Sequence, residues 1–122
     1  MMNEPKQRGH KDLIAWQKAM DLVEEIYKLV KDLPKDERFN LASQISRSAV
    51  SIPSNIAEGY RRGSDKSFRQ FLLIAFGSGA ELETQIELVK RLSLVPNFNF
   101  QRIDVLLSDT MRLLNAFIKK IG

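Results

Sequence analysis

The sequence predicts an all-α protein, an antiparallel up-and-down bundle of four helices with a proline bend in the second helix. Two patterns predict this fold class. Apolar residues recur at steps of three and four over long stretches, and no stretch alternates apolar with polar residues as a half-buried strand does. Breaks at Pro34, Gly63 and Pro96 divide the chain into four such stretches with short connections. We expect residues 1–11 to form a flexible basic arm and residues 12–122 to form the bundle.

The first helix is expected over residues 12–33, with Asp12 as its N-cap and Pro34 after its end. Its apolar residues form two adjacent stripes at helical spacing. One stripe is Leu13, Trp16, Met20, Val23, Tyr27 and Val30, and the other is Ala19, Leu22, Ile26, Leu29 and Leu33. Two stripes are more apolar surface than one antiparallel neighbour covers, so we expect this helix to have apolar surface left over for a further contact.

The second helix, expected over residues 36–62, contains a proline in its interior. Pro53 lacks the N–H that would bond to the carbonyl of Ala49, and its ring clashes with that carbonyl, at about 3 kcal/mol. We therefore predict a bend or a break between Ala49 and Asn55, with polar side chains compensating the freed carbonyl of Ala49.

The third and fourth helices are expected over residues 65–93 and 99–121. Residues that commonly cap helices, and a glycine suited to a helix C-terminus, mark the ends of the last three helices. They are Asp36 or Asn40 before the second helix, Gly63 after it, Ser64 before the third, and Asn97 or Asn99 before the fourth.

Polar side chains form one line along the second helix and another along the third. The first line is Gln44, Ser48, Ser51, Asn55 and Glu58, and the second is Ser78, Glu81 and Gln85. A solvent-facing surface would more usually carry Lys and Glu, so we favour a hydrogen-bonded network between the two helices. The side chains predicted to be largely buried in it are Asn55, Glu58, Glu81 and Gln85. The alternative is that both lines simply face water.

The chain is mildly basic, since 19 Lys and Arg against 15 Asp and Glu give a net charge of +4. This balance favours an anionic partner, with nucleic acid ahead of a membrane surface. The alternative is a charge that only keeps the protein soluble. Four candidate phosphate-binding residues cluster at the turn between the second and third helices, namely Arg61, Arg62, Lys66 and Arg69. A fifth candidate, Arg47, lies earlier in the second helix. Among the basic residues of the helices the one aromatic is Tyr60, so stacking on unpaired bases is not indicated.

The sequence gives little support for catalysis. It has no cysteine, and its one histidine, His10, lies in the expected arm. It has no Glu-x-x-His pair of the kind that holds two irons in a four-helix bundle, and no phosphate-binding glycine loop. We therefore expect no enzymatic activity, no metal and no cofactor. No segment approaches the ~18 apolar residues of a membrane span, and the N-terminus is too polar for a secretory signal, so we expect a soluble, cytoplasmic protein.

Two segments, DLIAWQKAMDLVEEIYKLVKDLP and SQISRSAVSIPSNIAEGYRRGSDKSFRQFLLIAFGSGAELETQIEL, resemble a bacterial four-helix-bundle family, the 23S rRNA intervening-sequence proteins. The blocks SIPSNIAEG and GSGAELETQ are specific to that family. The resemblance extends from Lys11 to about Val95, and a generic fourth helix follows. Members of the family are often encoded in insertions within large-subunit ribosomal RNA genes. A related branch serves as the accessory protein of diversity-generating retroelements.

The resemblance implies a ring-shaped homopentamer with a basic surface, and the retroelement branch implies binding to nucleic acid and to a reverse transcriptase. Together with the charge, it makes a non-enzymatic, homo-oligomeric protein that binds RNA or DNA our first expectation. The alternative is a structural or adaptor oligomer that binds a protein partner such as a reverse transcriptase. The apolar surface left over on the first helix fits that alternative equally well.

Overall fold

The computed structural model describes residues 9–121, which form four α-helices and two 3₁₀ helices. The α-helices are α1 (Ile14–Asp32), α2 (Leu41–Arg61), α3 (Asp65–Arg91) and α4 (Gln101–Ile121), and the 3₁₀ helices are His10–Asp12 and Lys35–Glu37. This part of the chain contains no strand, so the all-α class is confirmed. None of its helices has a stretch long and apolar enough to cross a membrane. Most of the predicted arm, residues 1–8, lies outside the described residues.

The four helices enclose one core. Each helix packs against the next along the chain, and α1 also packs against α4, which closes the bundle. The contact between α2 and α3 is the most extensive. Near the turn between these two helices the rings of Tyr60 and Phe68 lie 5.6 Å apart, and farther from it the hydroxyls of Ser51 and Ser78 are 2.7 Å apart. At this contact the two helices therefore run in opposite directions, as a short connection requires.

Local side-chain chemistry sets three of the predicted helix ends. Gly63 follows α2 with a φ of +87°, in the left-handed region that glycine adopts without strain. At the start of α3, Ser64 Oγ accepts a hydrogen bond from the Ser67 N–H at 3.2 Å. At the start of α4, Asn99 Oδ1 accepts one from the Gln101 N–H at 2.9 Å.

The start of α2 differs from the prediction. The helix begins at Leu41 rather than at residue 36, because Lys35–Glu37 form a separate 3₁₀ helix and a turn follows it. Asn40 occupies the N-cap position, but its side chain does not cap the helix. Instead, Asn40 Oδ1 accepts a hydrogen bond from Gln44 Nε2 at 3.1 Å.

Helix α1 begins at Ile14, two residues after the predicted N-cap Asp12, which belongs to the first 3₁₀ helix. One of its two apolar stripes is buried over its whole length, namely Ala19, Leu22, Ile26, Leu29 and Leu33. The other stripe is only partly covered, and Met20 and Tyr27 on it are exposed. The single chain therefore leaves part of the α1 apolar surface in contact with water.

Helix α2 continues without interruption through Pro53, which is buried. The predicted break is therefore wrong, and the predicted bend stays a prediction. Among the described residues no side chain donates to the carbonyl of Ala49, so the compensation predicted there is also wrong. The nearest such bonds run from Asn55 Nδ2 to the carbonyl and the hydroxyl of Ser51, at 2.8 and 2.9 Å. Packing on both α1 and α3 stabilises α2 in spite of the missing backbone bond.

Helices α2 and α3 approach closely at Gly59. A Cβ atom added there would lie 2.6 Å from the Cβ of Phe71 and 3.3 Å from the carbonyl oxygen of Phe68. Any side chain at this position would therefore push α3 away from α2. The glycine fixes the spacing of the two helices just before the turn that carries the candidate site.

Candidate nucleic-acid interface

Four of the five predicted phosphate-binding residues lie at one end of the bundle. Arg61 ends α2 and Arg62 is its C-cap, while Lys66 and Arg69 lie in the first two turns of α3. The turn at Gly63 reverses the chain between these two pairs and makes them neighbours. Arg61, Arg62 and Lys66 are exposed, and Arg69 is half-buried.

The first 3₁₀ helix packs against this end of α2 and adds Lys11. A Cβ atom at Gly9 would lie 3.2 Å from Arg61 Nη2. The ring of His10 packs edge-on against Trp16, with 5.2 Å between centroids. Burial, and then the positive charges of Arg61 and Lys11, lower the pKa of His10 below its usual value of 6.5. His10 is therefore neutral at pH 7 beside two cations.

The C-terminal end of α4 also lies here, because the rings of Phe68 and Phe117 meet at 5.2 Å between centroids. It carries two exposed cations, Lys119 and Lys120, that the reasoning from sequence did not assign. The predicted antiparallel order was the signal for them, since in such a bundle the fourth helix ends beside the start of the third. We call this surface the basic end, and it consists of Lys11, Arg61, Arg62, Lys66, Arg69, Lys119 and Lys120.

The cations of the basic end differ in how far they are already engaged. Arg62 Nη2 and Nε lie 2.8 and 3.1 Å from Glu58 Oε2, and its guanidinium lies over the ring of Phe71 at 4.9 Å. Arg69 Nε is buried and has no hydrogen-bond partner among the described residues. Within residues 9–121 no ion pair involves Arg61 or Lys66. These two side chains are therefore the best placed to contact an incoming anion.

Arg47, the fifth predicted residue, lies apart from the basic end. Fourteen positions separate it from Arg61 along α2, which corresponds to about 21 Å of helix. Arg47 Nη1 donates a hydrogen bond to Ser43 Oγ at 2.6 Å. The structure therefore does not bring Arg47 together with the other four candidates.

The predicted polar network exists in a smaller form. The hydroxyls of Ser51 in α2 and Ser78 in α3 form a hydrogen bond at 2.7 Å, and Asn55 Nδ2 donates to Ser51 Oγ at 2.9 Å. Ser78 is buried, while Ser51 and Asn55 are half-buried. Three side chains thus link α2 and α3 across their contact.

The other members of the predicted network do not join it. In the single chain Gln44, Glu58 and Glu81 are exposed, so the predicted burial of Glu58 and Glu81 is wrong. The carboxylate of Glu58 pairs with Arg62 on its own helix, which removes the need for a partner on α3. Gln85 is half-buried, and its Oε1 atom is buried with no hydrogen-bond partner among the described residues. Periodicity alone could not separate these side chains from Ser51 and Asn55, because all of them lie on one side of α2 or α3.

A shallow groove of about 700 Å³ lies beside this network. Its lining combines hydroxyls, amides and charged groups with two exposed apolar side chains, Tyr27 and Val50. The remaining lining residues are Gln44, Ser46, Arg47, Ser48, Ser51, Ser78, Glu81 and Gln85. Within residues 9–121 no three His, Cys, Asp or Glu side chains are grouped so that they could hold a metal ion.

Comparison with known proteins agrees with the helical architecture. The family model described as 23S rRNA-intervening sequence protein matches residues 11–116. The chain belongs to this family. The match confirms the resemblance carried by the SIPSNIAEG and GSGAELETQ blocks, and it also includes most of α4, which looked generic in sequence.

A solved structure supports the same assignment. It is a crystal structure from Bacteroides thetaiotaomicron, described as a protein with unknown function from the S23 ribosomal protein family. It is 29% identical to this chain, covers 89% of this chain and 98% of its own, and superposes with a TM-score of 0.79. No curated protein matches the sequence. Neither the family description nor that of the solved relative names an enzymatic activity.

Proposed function

We propose that this protein is a non-enzymatic, homo-oligomeric nucleic-acid-binding protein that contacts RNA through the basic end of the bundle. One observation carries the proposal: seven cations from four separate elements, the residues of the basic end, lie at the same end of the bundle. The family name refers to sequences that intervene in 23S ribosomal RNA, so structured ribosomal RNA is the first ligand to test.

Contacts of this kind give affinity without sequence specificity. Lys and Arg side chains bind phosphate oxygens and displace the counterions condensed around the nucleic acid, so the affinity falls steeply as salt is added. Each contact at the basic end is weak in one copy, because the side chains are exposed and screened. Assembly would repeat the surface and turn several weak contacts into one multivalent contact.

Exposed apolar residues on the α2–α3 side of the bundle favour assembly. Leu73 and Ile74 of α3 are 44% and 51% exposed, and Val50 of α2 is 39% exposed. Burying these side chains against another copy would remove apolar surface from water. The number five comes from the family resemblance alone, and five copies at +4 each carry a net charge of +20.

The test is a mobility-shift titration of a structured ribosomal RNA fragment over a series of salt concentrations. We expect Arg61→Glu combined with Lys66→Glu to weaken binding at least tenfold, and we expect wild-type affinity to fall steeply with salt. The matched control is Arg91→Glu combined with Arg112→Glu, the same change in net charge at two exposed positions whose partners, Glu87 and Asp109, lie on their own helices. Wild-type protein that binds no nucleic acid at low salt, or a double variant that binds as wild type, would refute the proposal.

The second candidate is an adaptor that binds a protein partner such as a reverse transcriptase. It is favoured by the partly exposed apolar stripe of α1, on which Met20 and Tyr27 remain in contact with water. Two results together would favour the adaptor over the RNA-binding protein. The protein would co-purify with a retroelement reverse transcriptase, and Met20→Glu would abolish this co-purification. RNA binding would be unchanged in the Arg61→Glu, Lys66→Glu variant.

A further inference from the structure

We propose that the connection between α1 and α2 is a second RNA contact that binds unpaired nucleotides, with Phe39 stacking on a base and nearby cations holding the phosphates. The inference rests on the proposed function and adds a site at the other end of the molecule. Leu41 and Arg61 are the first and last residues of α2, so the two sites lie about 30 Å apart along the bundle.

A cleft of about 380 Å³ lies at this connection, between the end of α1, the 3₁₀ helix Lys35–Glu37 and the first turns of α2. Its apolar lining consists of Val30, Leu33, Pro34 and Ala42, and its polar lining consists of Lys31, Lys35, Arg38, Ser43 and Ser46. All three cations are exposed. Among residues 9–121 no acidic residue lines the cleft, although Asp32, Asp36 and Glu37 are close in sequence. A concave surface with an apolar part and three cations is complementary to a nucleotide. The cations suit its phosphate group, and the apolar part suits the flat face of its base.

Phe39 provides a stacking surface beside the cleft. Its side chain is 89% exposed, and the guanidinium of Arg38 lies over its ring, 5.7 Å from the centroid. Exposed aromatic rings next to basic groups are how proteins bind unpaired nucleic acid, since a base has a flat face for stacking and a phosphate for the cation. Reasoning from sequence missed this pair because Phe39 lies in a connection, outside the helical basic residues.

Arg47 is a fourth cation beside the cleft, and it lines the neighbouring groove, which shares Ser46 with the cleft. Its guanidinium donates to Ser43 Oγ, and Ser43 lines the cleft. The cations come from α1, the 3₁₀ helix, the turn after it, and α2. Charges distributed over four elements suit the successive phosphates of a strand better than a single small anion. The separation of Arg47 from the basic end is then explained by a different role from that of Arg61 and Lys66.

The experiment measures fluorescence anisotropy of the full chain with two labelled probes, an oligouridine of about 12 nucleotides and a blunt RNA duplex of the same length. We expect Phe39→Ala to weaken oligouridine binding about tenfold and to change duplex binding by less than about twofold. Phe39→Tyr keeps the aromatic face and should keep oligouridine affinity. Lys35→Glu should weaken oligouridine binding, and Arg91→Glu is the charge-matched control that should not.

Several outcomes would overturn the inference. Wild-type binding to the duplex but not to oligouridine would refute this site and leave the proposed function standing, whereas binding to neither probe would refute both. Equal oligouridine affinity of wild type and Phe39→Ala would exclude stacking. If Phe39→Ala instead changes the oligomer size in light scattering without changing RNA affinity, Phe39 contacts a protein and the inference is wrong.

Discussion

At the scale of single residues, Arg61 links the packing of the N-terminal 3₁₀ helix to the charge of the basic end. Its guanidinium lies against Gly9 and raises the local positive potential at His10. Protonation of His10 would place a charge in a partly buried position, next to Arg61 and Lys11, so folding favours the neutral ring. The residue that we propose to contact phosphate therefore also makes it harder for its neighbour to take up a proton, in addition to the larger effect of burial.

We predict that His10 titrates below pH 6.5 in the folded chain and that Arg61→Ala moves its pKa upward, though not fully to 6.5, because burial is the larger cause. The chain has one histidine, so a single imidazole resonance in an NMR titration reports the pKa directly. Arg91→Ala is the control and should leave the resonance unchanged.

The sign of the associated pH effect follows from linkage. The unfolded chain takes up this proton near pH 6.5 and the folded chain at a lower pH, so the packing of residues 9–12 loses stability as the pH falls below 6.5. A wild-type pKa of 6.5 or above would contradict the half-buried, charge-flanked position of His10.

At the scale of elements, the fit of α2 against α3 depends on a missing side chain. We predict that Gly59→Ala destabilises the protein by about 1–3 kcal/mol, because the new methyl group would overlap the Cβ of Phe71 and press on the α3 backbone at Phe68. Gly77→Ala is the matched control, since a Cβ there would meet no other atom of the described residues within 4 Å. It should be neutral or stabilise the helix by about 0.5–1 kcal/mol. Urea unfolding measures both, and equal effects of the two substitutions would show that the close approach is not a constraint.

The α1–α4 contact predicts a pH dependence of stability. Glu25 Oε2 lies 3.1 Å from Lys28 Nζ, which is also in α1, and 3.1 Å from Arg102 Nε in α4. The hydrogen bond from Lys28 is the main reason that the pKa of Glu25 lies below its usual 4.5; burial opposes this, and the bond from Arg102 adds to it. The ionised form is favoured by folding, so its contribution is present above pH 4.5 and is lost as the pH falls below that value.

We therefore predict that Glu25→Gln lowers the melting temperature by about 2–4 °C at pH 7, and that the difference from wild type shrinks at pH 3. Thermal unfolding followed by circular dichroism checks this. Glu87→Gln, which removes an exposed pair within α3, is the control and should have a smaller effect at pH 7. An equal deficit at both pH values would mean that Glu25 acts through packing and not through its charge.

Much of the element level was readable from sequence, and the failures have physical causes. Spacing of apolar residues and the caps at Ser64 and Asn99 identified the helices, because these signals act within a few residues. Helix α2 was predicted to start too early, since a 3₁₀ turn at Lys35–Glu37 offers the same local cues as a helix start. The burial of Glu58 was predicted wrongly because pairing with Arg62 competes with pairing across helices. Phe39 was missed because it lies in a connection, next to Arg38, and the α4 lysines were missed although the predicted antiparallel order was a signal for them.

At the scale of the whole molecule, assembly is the property most directly open to test. We predict that the wild-type protein is larger than a monomer by multi-angle light scattering, and that Ile74→Glu reduces its size by placing a charge in the exposed apolar surface of α3. Lys66→Glu should leave the size unchanged, because that residue belongs to the basic end. A wild-type monomer, or an Ile74→Glu variant of unchanged size, would contradict assembly through this surface.

The contact between α1 and α4 also has a consequence for folding kinetics. Neighbouring helices can pair as local hairpins, but the Glu25–Arg102 contact joins residues 77 positions apart and closes a loop that contains two other helices. Loop-closure entropy increases with the length of the loop, so we expect such a contact to form late in folding and to open early when the bundle loosens. The basic end is composed of residues from α2, α3, α4 and the segment before α1. A polyanion bound across these elements would hold them together at the basic end. Because it would bind only the bundle in which α1 packs against α4, it would slow the opening of α1 from α4.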